Sequence, residues 1–241
     1  MKNKKSKLKK KKRIICLFLL ILVLIYVFLF SSLFKIRKIE VSESREVSEQ
    51  QIKDNFSFKN IFLFTKKKIK EDLIKKIPLI ADLEIKKDIF AGKIKLKIQE
   101  RDRLGIVCQE ESCFYIDSLG FLFEDAPQTS GSLILLIKDF TEREFFIGKK
   151  IFEENQIGSI SFIKENLFLE TGIKVLDFNI LFFPLTELKV VTNEGWYILF
   201  DLERDIQKQL LSLKAVLKEK IQEREGLEYI DLRIENRVYY K

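Results

Sequence analysis

Chemistry near neutral pH usually begins with a histidine, and none occurs among the 241 residues. That removes His-based catalytic triads and most zinc sites. Paired carboxylates remain. Glu110-Glu111 and Glu124-Asp125 are of the type a glycosidase uses, one group as acid and one as nucleophile or base. Charges solvating a turn are the commoner use of such pairs. The nine glycines are scattered, so there is no glycine-rich phosphate loop. Trp196, in a segment that reads as a strand, suits a core better than a sugar platform. Cys108 and Cys113 enclose Gln109-Glu110-Glu111-Ser112, and a hairpin with a four-residue loop would set them side by side, within reach of a disulfide. Two unpaired thiols in a loop is the alternative, and without histidine a zinc set is not expected. These residues point to binding rather than catalysis, with no metal and no cofactor.

The elements that would position a binding surface begin with charge. The chain carries a formal +8, and residues 1–13 alone hold nine Lys and Arg with no acid, which leaves about −1 for the rest. The expectation is that basicity belongs to the tail and that no basic folded face exists for nucleic acid. Residues 14–34 then run without a charge. At about 1.5 Å per residue, a helix of that length spans a hydrocarbon core of roughly 30 Å. The run is longer than a signal peptide's apolar region and lacks a good cleavage site. The positive-inside rule places residues 1–13 in the cytoplasm and everything after Lys35 outside, where a disulfide persists. Cys16, within the span, reads as a small apolar residue.

After the span the expected order over 35–101 is strand, helix, helix, strand, strand. Ser48 and Thr65 suit helix caps, and Pro78 ends the second helix. Ile94, Leu96 and Ile98 alternate with lysines in the last strand. Residues 102–241 read as mostly strands, with a buried run over 133–137. Helices are expected over about 153–169 and 202–221, and closing strands over 229–233 and 238–240.

Several motifs occur in a recognisable order. They are Phe34-Lys35-Ile36-Arg37-Lys38-Ile39-Glu40-Val41, Ile77-Pro78-Leu79-Ile80, a strand ending in Glu100-Arg101, Tyr115-Ile116-Asp117 followed by Gly120 and Phe123, and Asp231-Leu232-Arg233. With the basic tail and one span before them, they resemble the bacterial cell-division family FtsQ/DivIB. The resemblance implies an α+β chain with a single N-terminal transmembrane helix, a POTRA-type β-α-α-β-β domain over 35–101, and a mostly antiparallel β domain with flanking helices over 102–241. It implies a non-enzymatic divisome scaffold at the septum that helps control septal peptidoglycan synthesis. Its partners would be bitopic coiled-coil proteins of the FtsB/DivIC and FtsL type, with no nucleic acid and no small-molecule substrate. In the family a partner adds a strand at the terminal edge, which falls here on Leu232, Ile234, Asn236, Val238 and Tyr240. A sheet edge with unpaired N–H and C=O groups is physically suited to this. The other readings are a POTRA-bearing membrane-anchored transport or assembly factor and, further off, a cell-wall hydrolase using the carboxylate pairs above.

Overall fold

The structure is a computed structural model, described over residues 15–27, 34–221 and 223–241. The basic tail at 1–13 lies outside the described residues, as do residue 14 and residues 28–33 of the expected span. Residues 15–27 form helix α1, exposed along its length. Among the described residues no helix is long and apolar enough to cross a membrane. The chain divides into two compact units that meet in sequence at Glu100 and Arg101, helix α1 belonging to the first.

In unit 1 a three-stranded sheet in the order β1-β3-β2 combines β1 (Lys38–Ser42), β2 (Ile80–Asp88) and β3 (Lys93–Glu100) with helices α2 (Glu49–Asn55) and α3 (Lys66–Lys76). The helices start where their capping hydroxyls stand. Ser48 Oγ accepts from Gln51 N–H at 3.0 Å, and Thr65 Oγ1 from Lys68 N–H at 3.2 Å. Helix α3 stops at Ile77, just before Pro78. Strand β3 buries Ile94, Leu96 and Ile98 and turns its lysines outward, as a one-sided strand must. Its partner β2 breaks strict alternation at Ile80 and Leu83 because a bulge falls at Ile80/Asp82. Ile52, Ile69 and Leu73 from the helices close this core.

Glu100 ends β3 and locks the loop after β1. Its Oε1 accepts from Ser44 Oγ (3.0 Å) and from the N–H groups of Arg45 (2.9 Å), Glu46 (2.8 Å) and Val47 (2.8 Å). Burial pushes this carboxyl up, but the bonds from Val47, Glu46, Arg45 and Ser44 outweigh it and hold Glu100 below the usual range.

In unit 2 the described residues form a nine-stranded sheet in the order β12-β11-β10-β9-β8-β7-β4-β5-β6. Its strands are β4 (Gly105–Gln109), β5 (Ser112–Ile116), β6 (Leu122–Asp125), β7 (Leu135–Asp139), β8 (Val175–Ile180), β9 (Glu187–Thr192), β10 (Tyr197–Asp201), β11 (Tyr229–Asp231) and β12 (Tyr239–Tyr240). Most neighbours are antiparallel. The pairs β4–β7, β7–β8 and β10–β11 are parallel. The last two need long crossovers, which helices α4 (Glu154–Thr171) and α5 (Ile206–Glu219) supply. Ile157, Ile160, Ile163 and Leu167 on α4 and Leu210, Leu213 and Leu217 on α5 recur at helical spacing and bury against Val107, Ile137, Phe178, Val190 and Ile198.

The buried run expected over 133–137 begins later. Pairing with β4 starts at Gly105↔Leu135, so Leu133 lies outside the ladder and, among the described residues, is almost fully exposed. In the β5–β6 turn, Asp117 Oδ1 accepts from Leu119 N–H at 3.0 Å and Phe121 N–H at 2.8 Å, while Oδ2 pairs with the buried Arg101. Gly120 sits at φ +85°, and a Cβ there would come within 2.1 Å of Phe152 O. That geometry accounts for the Ile-Asp-x-x-Gly spacing.

Candidate functional site

The expected binding residues fall on the hairpin β11–β12 at one end of the nine-stranded sheet. They do not form one continuous strand. Residues 234–237 make a turn closed by Arg237 N–H to Ile234 O at 3.2 Å, with Asn236 at φ +58°, a conformation Asn tolerates better than most residues. Leu232 is buried in the core, and its N–H donates to Leu199 O at 2.9 Å, so it anchors the hairpin and offers no side chain to a partner. Ile234 and Asn236 are exposed on the turn, Val238 is half-buried against the core, and Tyr240 is half-exposed on β12.

The register decides what this edge presents. Ile230 faces Tyr240, and Tyr229 exchanges both backbone bonds with Lys241 (Lys241 N–H to Tyr229 O 3.2 Å, Tyr229 N–H to Lys241 O 3.3 Å). In antiparallel pairing the intervening pair is the one without bonds, so the N–H and C=O of Tyr240 turn away from β11, toward the free side. The edge is short, which limits indiscriminate pairing.

A charged clamp that the sequence did not reveal holds the hairpin. Arg233 donates from Nε to Asp231 Oδ1 (2.9 Å), from Nη2 to Asp231 Oδ2 (2.7 Å) and from Nη1 to Glu187 Oε2 (2.5 Å). Burial pushes the Asp231 carboxyl up, but Arg233 overrides it and holds the group below its ordinary value. Asp231-Leu232-Arg233 thus fastens β11 across β10 to β9, with charges outside and the leucine inside. A groove of about 460 Å³ flanks β12, its charged lining made of Glu219, Glu223 and Glu225 together with Lys220 and Lys241.

The other candidates sit elsewhere. Cys108 and Cys113 lie opposite one another on β4 and β5 and are joined by a disulfide. The loop is tighter than expected. Gln109 and Ser112 pair within the strands, leaving Glu110-Glu111 as a two-residue turn with Glu110 at φ +52°. Glu124, on β6, accepts from Arg103 at 2.6 Å, and Trp196 is buried with its indole N–H on Glu194 at 3.0 Å.

The expectation that the folded part carries no basic face needs correction. The remainder of −1 conceals two opposite values. Residues 35–100 carry 17 Lys and Arg against 11 Asp and Glu, whereas residues 101–241 carry 18 against 25. Unit 1 is basic and unit 2 acidic. Counting charge by halves would have found this, as would the five lysines without an acid in residues 59–70.

Unit 1 runs strand-helix-helix-strand-strand, the order expected of a POTRA-type domain. Residues 34–101 match the family model for the POTRA domain, FtsQ-type, and this supports the resemblance to FtsQ/DivIB. Unit 1 is thus similar to POTRA domains of the FtsQ type, a class that is generally non-enzymatic and suggests a division-related role. No curated protein matches the chain.

Proposed function

We propose that the chain is a non-enzymatic scaffold of the division machinery. It is held at the septum by one membrane span over 14–34, with residues 1–13 cytoplasmic and both units outside. It links bitopic coiled-coil proteins of the FtsB/DivIC and FtsL type and helps control septal peptidoglycan synthesis. The observation that carries this reading is the match of 34–101 to the FtsQ-type POTRA domain, followed by a sheet whose end is unpaired among the described residues. A partner strand laid along β12 would meet the outward N–H and C=O of Tyr240, with main-chain bonds giving affinity and alternate side chains specificity. The groove beside that edge sets Glu219, Glu223 and Glu225 against Lys220 and Lys241, a small acidic excess that favours basic side chains on the partner only weakly.

A fluorescent fusion of the full chain is expected to gather at midcell in dividing cells. An even distribution around the envelope would overturn the scaffold reading. It would favour the alternative of a POTRA-bearing transport or assembly factor, whose motivation is the POTRA unit alone.

A further inference from the structure

The basic excess of unit 1 is concentrated at one pole. Residues 35–38, 59–70 and 86–93 together contain eleven Lys and Arg and one acid, Asp88. The hydrogen bonds bring these segments together. Ile61 N–H donates to Phe34 O at 2.9 Å and Ile36 N–H to Lys59 O at 2.9 Å, while Arg37 N–H donates to Gly92 O at 2.7 Å. Residues 34–37 therefore run between the loop 59–62 and the β2–β3 turn. Gly92 is needed there, because at φ +63° a Cβ would come within 2.8 Å of Lys35 O. Lys87 draws the 61–64 loop onto the end of β2, donating to Ile61 O at 2.7 Å and also to Phe64 O.

Both turns flanking residues 34–37 carry apolar side chains into solvent. Phe62 and Leu63 are exposed on one, Ile89 and Phe90 on the other, with Phe90 completely bare. Phe34 packs edge-on against Phe62, ring centroids 5.1 Å apart. Around them Lys35, Arg37, Lys59, Lys66, Lys67 and Lys68 are exposed, and three of these lysines fill the first turn of α3. That placement opposes the helix dipole, which favours acids there. Residues that break a local stability rule together at an exposed apolar tip suggest a surface kept for something else.

We infer that this pole of unit 1 docks on the anionic face of the bilayer. The inference rests on the span proposed above. The occupant follows from the chain itself: Phe34 is the last residue of the uncharged run 14–34, so the pole sits where that run leaves the hydrocarbon. Phe62, Leu63, Ile89 and Phe90 enter the headgroup–acyl boundary, and the surrounding lysines reach the phosphates, each basic residue near an anionic surface contributing about 1 kcal/mol. Unit 2, with its excess of acids, lacks this attraction.

The test uses the full chain reconstituted in anionic vesicles with brominated acyl chains, carrying Phe90→Trp. The side chain there is bare, so the fold has no contact to lose, and buried Trp196 gives the background in the unsubstituted chain. The Phe90→Trp indole is expected to shift to the blue and to be quenched about two-fold or more, as for an aromatic at the interface. The quenching should fall in vesicles of neutral lipid alone, and also when Lys66, Lys67 and Lys68 are changed to Glu, which suits the helix start. Alkaline extraction separates the two claims. Chain retained in the membrane with a solvent-like, unquenched indole overturns the docking face and leaves it to a protein partner. Release of the chain overturns the span and the docking face together.

Discussion

The two units differ in how they are built and in what they present. Beyond helix α1, unit 1 is a small sheet covered by two helices, with strong basic character and its exposed apolar side chains gathered beside residues 34–37. Unit 2 is a long mixed sheet with two crossover helices, acidic overall, ending in a short open edge. Each unit closes its own hydrophobic core. The lesson is that one chain can separate its electrostatic duties. Basic side chains suit an anionic surface, and an acidic surround with a free edge suits a protein strand.

Separate cores should melt separately, and the sharpest way to break the comparison is in the core of unit 2. Leu213 is fully buried on α5, so Leu213→Ala is expected to destabilise unit 2 by about 2–5 kcal/mol. Calorimetry should then show the unit 2 transition falling while that of unit 1 stays in place. A parallel fall of both would mean that the units fold as one.

A smaller effect sharpens the comparison from the other side. Glu100 is held below its ordinary value by donors from 44–47, so its contribution is complete above the usual carboxylate range and is lost as pH falls through the depressed folded value. Glu100→Gln is expected to destabilise unit 1 by about 1.5–3 kcal/mol at neutral pH, the scale of a bond to a charged group. It should also flatten the loss of unit 1 stability on acidification, with unit 2 unchanged. An unaltered acid limb in calorimetric scans below pH 5 would contradict that role.

Much of this was legible in the sequence because the patterns were one-sided. The alternation of Ile94, Leu96 and Ile98, the caps at Ser48 and Thr65, and the stripe from Ile206 to Leu217 each report a local preference that packing then respects. What escaped depends on partners distant in sequence. Leu133 looks like the head of a buried run until the register with β4 leaves it outside the ladder. Leu232 reads as one position on an edge until Arg233 is seen to hold Asp231 on one side and reach Glu187 of β9 on the other. The basic pole was hidden by addition, since a net charge near zero says nothing about where opposite charges lie. The outward turn of Tyr240's backbone is a matter of register, which no single segment specifies.

The edge carries the central claim and can be tested by removing one donor. The N–H of Tyr240 faces away from β11, so Tyr240→Pro deletes a bond available only to an added strand while sparing those of the hairpin. Full chain in detergent would be titrated with the host's single-pass coiled-coil division proteins, with Tyr240→Ala separating the loss of the ring from the loss of the N–H. Native chain is expected to bind, Tyr240→Ala to bind more weakly, and Tyr240→Pro to lose about ten-fold or more beyond it, a further 1.4 kcal/mol or so. Equal binding by all three would contradict strand addition at this edge.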